Sequence, residues 1–222
     1  MRANEPMAGR QPEVMTFGRL AALIAGLPNP RGERCLIVGV DGMSGSGKSD
    51  FGRRLAGELA APVLSIDDLV PGWDGLAAST GLLTDWVLRP LAAGQPARWR
   101  RYDWAAGRPG EWADLDPGDF LVVEGCCAGR FPAASYLSYL VWLDVPAAER
   151  RRRLERRPDW AAYAPFAGRW ARQEAALQAR AGTAGRADLV VDNSARTDSG
   201  MPDSFTCYRR RDAVSAGSPP AR

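Results

Sequence analysis

Histidine is absent from this chain of 222 residues, and lysine occurs once among its 29 lysine and arginine residues. Because histidine is the usual general base of enzymes, any acid–base chemistry here must rest on carboxylates. The four cysteines include no Cys-x-x-Cys pair, which argues against a zinc site or a disulfide framework. The apolar runs have the length of strands, so none is long enough to span a membrane.

The composition predicts one domain with tails. A length of 222 residues suits a single domain, and a hydrophobic content of 45% is enough for a sizeable core. Residues 1–10 lack the apolar stretch of a signal peptide, so we expect a cytoplasmic protein with no membrane partner. The net charge of +3 is mild, whereas domains that bind nucleic acid are usually strongly basic, so a nucleic-acid partner is not expected.

The single lysine lies in a recognisable motif. Residues 42–49 fit the Walker A pattern Gly-x-x-x-x-Gly-Lys-[Ser/Thr], with Lys48 at its lysine position. All other basic residues are arginine, and the wide planar fork of arginine does not replace the compact charge of lysine. Residues 35–40 predict a buried strand before the motif, and residues 51–59 carry apolar side chains four apart, as on one helix face. Strand, loop and helix in this order are the context of a phosphate-binding loop.

The chemistry of this loop predicts ATP and Mg²⁺ as ligands. Its glycines let successive backbone N–H groups point at an anion, and the N-terminus of the following helix adds its dipole. Lys48 is expected to act as a catalytic residue at the β- and γ-phosphates, and the Ser49 hydroxyl to ligate Mg²⁺. We predict that the nucleotide is bound by Gly42, Met43, Ser44, Gly45, Ser46, Gly47, Lys48, Ser49 and Asp50.

The rest of the sequence narrows the class of P-loop protein. A Ras-type GTPase needs an Asn-Lys-x-Asp sequence, which cannot occur without a second lysine. The Leu-Ser-Gly-Gly-Gln signature of ABC transporter ATPases is missing, and the chain is short for an AAA+ motor with its lid domain. The compact kinases remain, so we expect transfer of the γ-phosphate of ATP to the hydroxyl of a small-molecule acceptor.

Four further apolar segments predict an α/β fold. They cover residues 62–66, 120–124, 140–144 and 189–192, and helical segments alternate with them. This alternation predicts a P-loop NTPase fold: a three-layer α/β/α sandwich around a mainly five-stranded parallel sheet. Glu124 ends its strand in the manner of a Walker B acid, so we predict that it lies near the Mg²⁺ with Ser49.

Two aspartates follow the second predicted strand. Functional groups of α/β folds gather at the carboxyl ends of strands, so Asp67 or Asp68 could accept the proton of an acceptor hydroxyl. If residues 63–67 alternate as a strand, Asp67 points to the same side as Ser65, and Asp68 points to the other. We predict that Asp67 is the catalytic base and that both aspartates contact the acceptor. A pair of turn aspartates is the alternative.

An arginine-rich helix is predicted after the fourth strand. Pro146 suits a first helical position, and six arginines lie between positions 150 and 157. Spacings of three and four place Arg150, Arg153 and Arg157 on one face, as in a short lid that closes over the polyphosphate. We predict that Arg153 and Arg157 stabilise transition-state charge. A solvated basic helix is the alternative, because charge runs are usually solvated faces.

Together these segments resemble the uridine/cytidine kinase family, within the wider group that includes pantothenate kinase and phosphoribulokinase. The resemblance covers residues 34–193. Residues 41–49 are similar to that family's phosphate loop, and residues 65–69 to the segment with its catalytic aspartate, at Asp67. The Glu124-Gly125 pair resembles the end of its third strand. The resemblance therefore implies a kinase of the uridine kinase type, with a nucleoside as the first candidate for the acceptor.

The resemblance extends to the acceptor pocket with two differences. Residues 101–104 resemble a Tyr-Asp-Phe stretch that helps to form the nucleoside pocket, which implies that Tyr102 and Trp104 bind the substrate. The family has a base-reading histidine shortly after that tyrosine, where this chain has Gly107. Val70 stands where an aromatic residue is common in the family.

Three segments are predicted along the chain. Residues 1–33 are an N-terminal extension with an amphipathic helix, capped by Thr16 and ended by Pro28. Residues 34–197 are the kinase domain. Residues 198–222 lack periodicity and are rich in Ser, Pro, Arg and Gly, so we predict a disordered tail.

Other functions stay open at this point. A nucleotide or metabolite kinase with a phosphorylated acceptor would want arginines in the acceptor pocket, and Arg98, Arg100 and Arg101 could supply them. A non-catalytic regulator that binds ATP is favoured by the missing family histidine. The protein could form a homo-oligomer under any of these functions.

Overall fold

Nine strands lie within the residues that the computed structural model describes, which are 11–28, 35–194 and 203–210. The strands are β1 (Pro12–Thr16), β2 (Leu36–Asp41), β3 (Val63–Ser65), β4 (Ala97–Asp103), β5 (Arg108–Leu115), β6 (Phe120–Glu124), β7 (Tyr139–Asp144), β8 (Leu189–Asp192) and β9 (Ser204–Arg209). The helices in the same ranges are α1 (Phe17–Ala25), α2 (Lys48–Leu59), α3 (Leu76–Leu83), α4 (Arg89–Ala92), α5 (Ala147–Glu155), α6 (Trp160–Ala181) and α7 (Thr183–Arg186).

The main sheet has the strand order β1-β9-β8-β7-β2-β6-β3. Its five strands from β8 to β3 are parallel, whereas β9 and β1 are added antiparallel at one edge. The predicted five-stranded parallel sheet is therefore confirmed, with two further strands that the sequence did not indicate. In the register, Glu124 of β6 lies beside both Val40 of β2 and Ser65 of β3.

Alternation along the central strands builds a core on each face of the sheet. Ile37 belongs to one buried cluster and its neighbour Val38 to the other, as successive strand residues point to opposite faces. Helices α1 and α2 cover one face, through residues such as Phe51. Helices α3 and α6 cover the other face, through residues such as Leu83 and Leu177. This arrangement is the three-layer sandwich expected when a parallel sheet is buried on both sides.

The domain boundaries predicted from the sequence need correction. Residues 204–209 are not a disordered tail, because β9 pairs with β8 and β1 in the main sheet. Residues 12–25 are not an extension, because β1 and α1 complete the same fold. The cause is hydrophobic packing: Phe205 lies 5.0 Å from Phe17 and 5.2 Å from Phe51, ring centroid to ring centroid, so β9 closes the core over α1 and α2. Residues 1–10 and 29–33 of the predicted extension, and residues 198–202 and 211–222 of the predicted tail, lie outside the described ranges.

A β-hairpin and a helical segment pack against the turn that follows β3. Strands β4 and β5 pair with each other as a separate two-stranded sheet, with an irregularity between Arg100 and Tyr102. Helix α3 continues through a wider helical turn at Thr84–Leu88 into α4. None of the helices in the described ranges is both long and apolar enough to cross a membrane.

Candidate active site

The phosphate loop joins the end of β2 to the start of α2. Gly45 has φ +81°, and a Cβ there would lie 2.5 Å from the carbonyl oxygen of Arg150, so only glycine fits. Gly47 precedes the helix with φ +92°, again in the left-handed region. The first N–H groups of α2 have no intrahelical acceptor and are therefore available to an anion. Lys48, Ser49 and Asp50, in this first turn, line the cavity at the end of the sheet.

Three of the residues that were predicted to bind the nucleotide lie behind the surface of the cavity. Gly42, Met43 and Ser46 do not line the cavity. The Met43 carbonyl accepts hydrogen bonds from Ser46 N at 3.0 Å and from Lys48 Nζ at 3.2 Å. The Ser46 carbonyl accepts from Asn193 Nδ2 at 2.7 Å, which ties the loop to the residue after β8. These residues therefore support the loop, and its cavity surface is formed by Ser44, Gly45 and Gly47 together with the start of α2.

Lys48 is buried, with 8% of its surface exposed. Burial alone would lower the pKa of this ammonium. The neighbouring Cys126 thiol and the carboxylates of Glu174, Glu124 and Asp67 outweigh burial, so the pKa is raised. Lys48 is therefore a fixed positive charge at the cavity, as the motif predicts.

Ser49 and Glu124 meet at the place expected for a magnesium ion. Ser49 Oγ donates a hydrogen bond to Glu124 Oε2 at 3.1 Å, and both residues line the cavity. Within the described residues, no group of three or more His, Cys, Asp or Glu side chains is placed to hold a metal by itself. A hydroxyl and one carboxylate fit Mg²⁺, which is usually held by few protein oxygens together with substrate phosphates and water.

Asp67 faces the same cavity, for a reason other than the predicted one. Strand β3 ends at Ser65, and Ile66–Leu69 form a 3₁₀ turn, so the argument from strand alternation is wrong. The backbone carbonyl of Asp67 accepts a hydrogen bond from Trp104 Nε1 at 3.0 Å. Asp67 is exposed to the open cavity, and protein atoms on the other sides of its carboxyl replace part of its hydration. This desolvation, with the negative charge of Glu124, raises the pKa of Asp67 to about 6, despite the opposing effect of Lys48.

Asp68 and Tyr102 do not line the cavity, which corrects their predicted place at the acceptor. Asp68 forms an ion pair with Arg101 of the hairpin, 3.3 Å between Oδ2 and Nε. The Tyr102 ring packs against Trp104 with 5.0 Å between centroids, and its hydroxyl lies beside Gly72. Both residues therefore hold the hairpin against the segment that contains Asp67, while Trp104 lines the cavity as predicted.

The arginines after β7 fall into two groups. Arg153 and Arg157 line the cavity, although Arg157 lies beyond the end of α5 at Glu155. Arg150 is turned toward the back of the phosphate loop, where its Nη1 donates to the Ser44 carbonyl at 3.1 Å. The predicted common face of Arg150, Arg153 and Arg157 is therefore wrong, because the helix ends before the third arginine.

Acidic partners accompany the two arginines in the cavity. Arg153 Nε donates to Glu149 Oε1 at 2.7 Å, and its Nη2 donates to the Asn193 carbonyl at 2.8 Å. Arg157 binds Asp159 through two hydrogen bonds of 2.8 and 2.5 Å. Glu149 and Asp159 also line the cavity. The guanidinium groups thus face the phosphate site with carboxylates already bound to them.

An aromatic wall forms another part of the cavity surface, and the Arg157 guanidinium lies 5.8 Å from the centroid of its Tyr163 ring. The wall consists of Trp73, Trp104, Tyr163 and Trp170. The Trp73 ring lies 4.8 Å from Trp104 and 5.9 Å from Trp170, in edge-to-face contacts. Rings this close leave no slot between them, so a ligand would lie against the wall. Burial raises the pKa of Tyr163 to about 12, which keeps its hydroxyl neutral.

Helix α6 supplies residues that the sequence analysis missed. Tyr163, Trp170 and Glu174 are buried on it, and Leu177 continues the same face. Their spacing of seven, four and three residues fits one side of a helix and could have indicated a buried face. It could not have indicated that this face also lines a cavity, because that depends on where α6 crosses the sheet.

These parts surround a single space of about 800 Å³. The phosphate loop, the Arg153 and Arg157 side chains, Asp67 and the aromatic wall all line this space. The loop and the wall meet where Trp170 Nε1 donates a hydrogen bond to Ser44 Oγ at 3.2 Å. The space therefore brings together a phosphate-loop motif, a hydroxyl and a carboxylate that fit Mg²⁺, a second carboxylate and an apolar surface. Cys126 also lines it, but burial raises the pKa of this thiol, so it remains protonated and unreactive.

The comparisons with known proteins agree with this geometry at the level of the fold. A structure described as a possible uridine kinase from Bacillus stearothermophilus matches with a TM-score of 0.55 and 18% identity, covering 78% of this chain and 96% of that one. A proposed fructose transport system kinase from Silicibacter sp. TM1040 matches with a TM-score of 0.54 and 22% identity, covering 78% and 95%. No family model and no curated protein match the chain. The chain therefore has a uridine kinase-like P-loop kinase fold.

Proposed function

We propose that this protein is an ATP-dependent kinase that transfers the γ-phosphate to a hydroxyl group of a small-molecule acceptor, with a nucleoside as the first candidate. One observation carries the proposal: the carboxylate of Asp67 faces the cavity that the phosphate loop, Ser49 and Glu124 also line. A phosphate donor and a hydroxyl acceptor would therefore meet beside a carboxylate.

Each side chain has a task in this reaction. The backbone N–H groups of the loop and Lys48 hold the β- and γ-phosphates and balance their charge. Asp67 is ionised above a pH of about 6, so at neutral pH it orients the acceptor hydroxyl and takes its proton. Ser49 and Glu124 would hold Mg²⁺, which supplies further charge compensation at the phosphates when bound. Arg153 and Arg157, which line the same cavity, would balance the charge that develops on the transferring group.

The acceptor that this cavity favours is unphosphorylated. Arg98, Arg100 and Arg101 do not line the cavity. Their partners are on the hairpin and the adjoining segment: Arg98 pairs with Asp114 at 3.4 Å, Arg100 donates to the Gly110 carbonyl at 2.8 Å, and Arg101 pairs with Asp68. These arginines therefore give little support to a phosphorylated acceptor. The aromatic wall suits a molecule with one flat or apolar face, such as the base of a nucleoside.

A coupled assay of ADP release tests the proposal. Nucleosides, sugars and pantothenate-like alcohols would be screened with Mg-ATP, and each signal would be compared with the rate without acceptor and with that of a Lys48→Ala variant. We expect at least one unphosphorylated alcohol to raise ADP release well above both controls. Tight Mg-ATP binding with no acceptor-dependent release from the whole panel would instead favour the regulator.

A further inference from the structure

Glu174 is a buried carboxylate on the face of α6 that otherwise forms the core. It is 1% exposed, and its neighbours on this face, Trp170 and Leu177, are also buried. Burying a charge is costly unless it is paired and hydrogen-bonded, and apolar residues often pack such a site equally well. The charge at position 174 is therefore not explained by packing alone.

The contacts of Glu174 converge on one of its oxygens. Oε1 accepts from Ser44 N at 3.0 Å, from Ser44 Oγ at 2.5 Å, from Trp170 Nε1 at 3.1 Å and from Cys126 Sγ at 2.6 Å. Oε2 is buried and has no hydrogen-bond partner within the described residues. The negative charge of Glu174 also contributes to the raised pKa of Lys48.

Ser44 is fixed on all of its polar groups. The N–H and the hydroxyl of Ser44 both donate to Glu174, and the carbonyl of Ser44 accepts from Arg150 Nη1 at 3.1 Å. The N–H of Ser44 therefore points at α6. The next loop residue, Gly45, is in the left-handed region against the backbone of Arg150. The place of Ser44 thus determines where the phosphate-binding turn stands relative to α6.

We propose that Glu174 is a positioning residue for phosphoryl transfer, because it fixes Ser44 of the phosphate loop and Trp170 of the aromatic wall with the same oxygen. Trp170 Nε1 also donates directly to Ser44 Oγ at 3.2 Å, so Glu174 holds both partners of the contact at which the loop and the aromatic wall meet. A misplacement of reacting groups by 1 Å can cost about 100-fold in rate, so such a link affects turnover more than binding. This inference rests on the proposed function for its kinetic readout.

The informative variant is Glu174→Gln, which keeps the size of the side chain and removes its charge. Charge-assisted hydrogen bonds to a carboxylate are about twice as strong as neutral ones, so the hold on Ser44 should weaken. We expect kcat to fall about tenfold while KM for Mg-ATP changes less than about twofold. Because the hydrogen bonds to Ser44 and Trp170 weaken and Lys48 loses a nearby carboxylate, we expect Tm to stay the same or fall.

A second readout does not depend on turnover. Hydrogen exchange of a peptide that covers residues 42–49 would be measured without nucleotide and with the ATP analogue Mg-AMP-PNP. Faster exchange in Glu174→Gln than in the wild type is expected in both states. If the acceptor screen fails, this measurement still decides whether Glu174 holds the loop, so failure of the proposed function and of this inference can be told apart.

Leu177→Ala is the matched control, because Leu177 is buried on the same face of α6 one turn away. It should lower Tm through lost packing. The hydrogen exchange of residues 42–49, kcat and KM for Mg-ATP should all stay as in the wild type.

A double-mutant cycle that combines Glu174→Gln with Ser44→Ala adds a direct test. If Glu174 acts through Ser44, the two effects on kcat will be clearly less than additive. A lower Tm in Glu174→Gln, with kcat and loop exchange unchanged, would show a purely structural residue and overturn the proposal.

Discussion

The phosphate half and the acceptor half of the cavity are built in different ways. The phosphate half is centred on one run of sequence, residues 44–50, which offers backbone N–H groups and one lysine, and Glu124, Arg153 and Arg157 are added from elsewhere in the chain. The acceptor half takes Asp67 from the turn after β3, Trp104 from the end of the hairpin, and Tyr163 and Trp170 from α6. Its surface consists of side chains that only the tertiary fold brings together.

This difference has a consequence for function. In the proposed reaction, the backbone nest would set the donor, because glycine conformations fix it and it accepts any polyphosphate of the right shape. The side-chain wall would set the acceptor, because it can be changed one residue at a time. Substitutions in the phosphate half should therefore abolish the reaction whatever the acceptor, whereas those in the acceptor half should change rate and selectivity in steps.

The largest effect is expected for Lys48→Arg in the phosphate half. The guanidinium keeps the charge but is too wide for the space in which Lys48 Nζ contacts the Met43 carbonyl. We expect kcat/KM for Mg-ATP to fall by about 10⁴-fold or more, because binding and transition-state stabilisation are lost together. Steady-state kinetics with the best acceptor would measure it.

Arg54→Lys provides the control, since it is the reverse exchange on the same helix and Arg54 does not line the cavity. It should leave kcat/KM within about twofold, the range of an ordinary surface change. If Lys48→Arg retains full activity, the lysine is not needed as a compact charge and the two halves do not differ as described.

A smaller loss is expected for Asp67→Asn, at the boundary between the halves. Because the transition state of phosphoryl transfer is loose, the base mainly orients the nucleophile, so we expect kcat to fall by about 100-fold, the lower end of the range for a general base. Mg-ATP affinity should change little. Asp68→Asn is the matched control and should stay active, since Asp68 pairs with Arg101 outside the cavity. An inactive Asp68→Asn beside an active Asp67→Asn would reverse the assignment.

The Asp67→Asn variant also tests the environment of Asp67 through its effect on the stability of the protein at different pH values. The pKa of Asp67 is raised to about 6 in the folded protein from 3.8, so the folded state binds the proton more tightly than the unfolded state. Stability is therefore lost as the pH rises through this window, and the loss is complete above pH 6. Since water in the cavity screens part of the effect, Asp67→Asn should gain about 1 kcal/mol at pH 7.5, or roughly 2–4 °C in Tm, and nothing near pH 4. A lower Tm at pH 7.5 would contradict this.

The sequence allowed the phosphate half to be predicted in more detail than the acceptor half, for a physical reason. A phosphate loop is local, so the spacing of Gly42, Gly47 and Lys48 carries its geometry, and the parallel strands followed from their apolar runs. Arg157 was placed on the wrong element because nothing in the arginine run marks the end of α5 at Glu155. Strand β9 was missed because its apolar residues pack only once Phe17 and Phe51 are in place.

The smallest effect concerns the acids that hold the cavity arginines. Arg157 and Asp159 are about half exposed, with side-chain accessibilities of 49% and 54%, so their ion pair is of the exposed kind, worth about 0.2–1 kcal/mol. If Asp159 competes with phosphate oxygens for Arg157, Asp159→Asn should bind Mg-ATP more tightly, by at most about fivefold. The gain should shrink in high salt, because screening weakens exposed charges.

Glu155→Gln is the control for this prediction, because Glu155 binds Arg151 in a like pair at 2.8 Å outside the cavity. It should leave the Mg-ATP affinity unchanged in calorimetric titrations at low and high salt. Weaker binding by Asp159→Asn would mean the opposite: Asp159 orients Arg157 toward the phosphates, and the acid is part of the site. In that case the arginines would bind phosphate through paired side chains, so this part of the cavity would be built from side chains, as the acceptor half is. Binding through backbone N–H groups would then be confined to the phosphate loop.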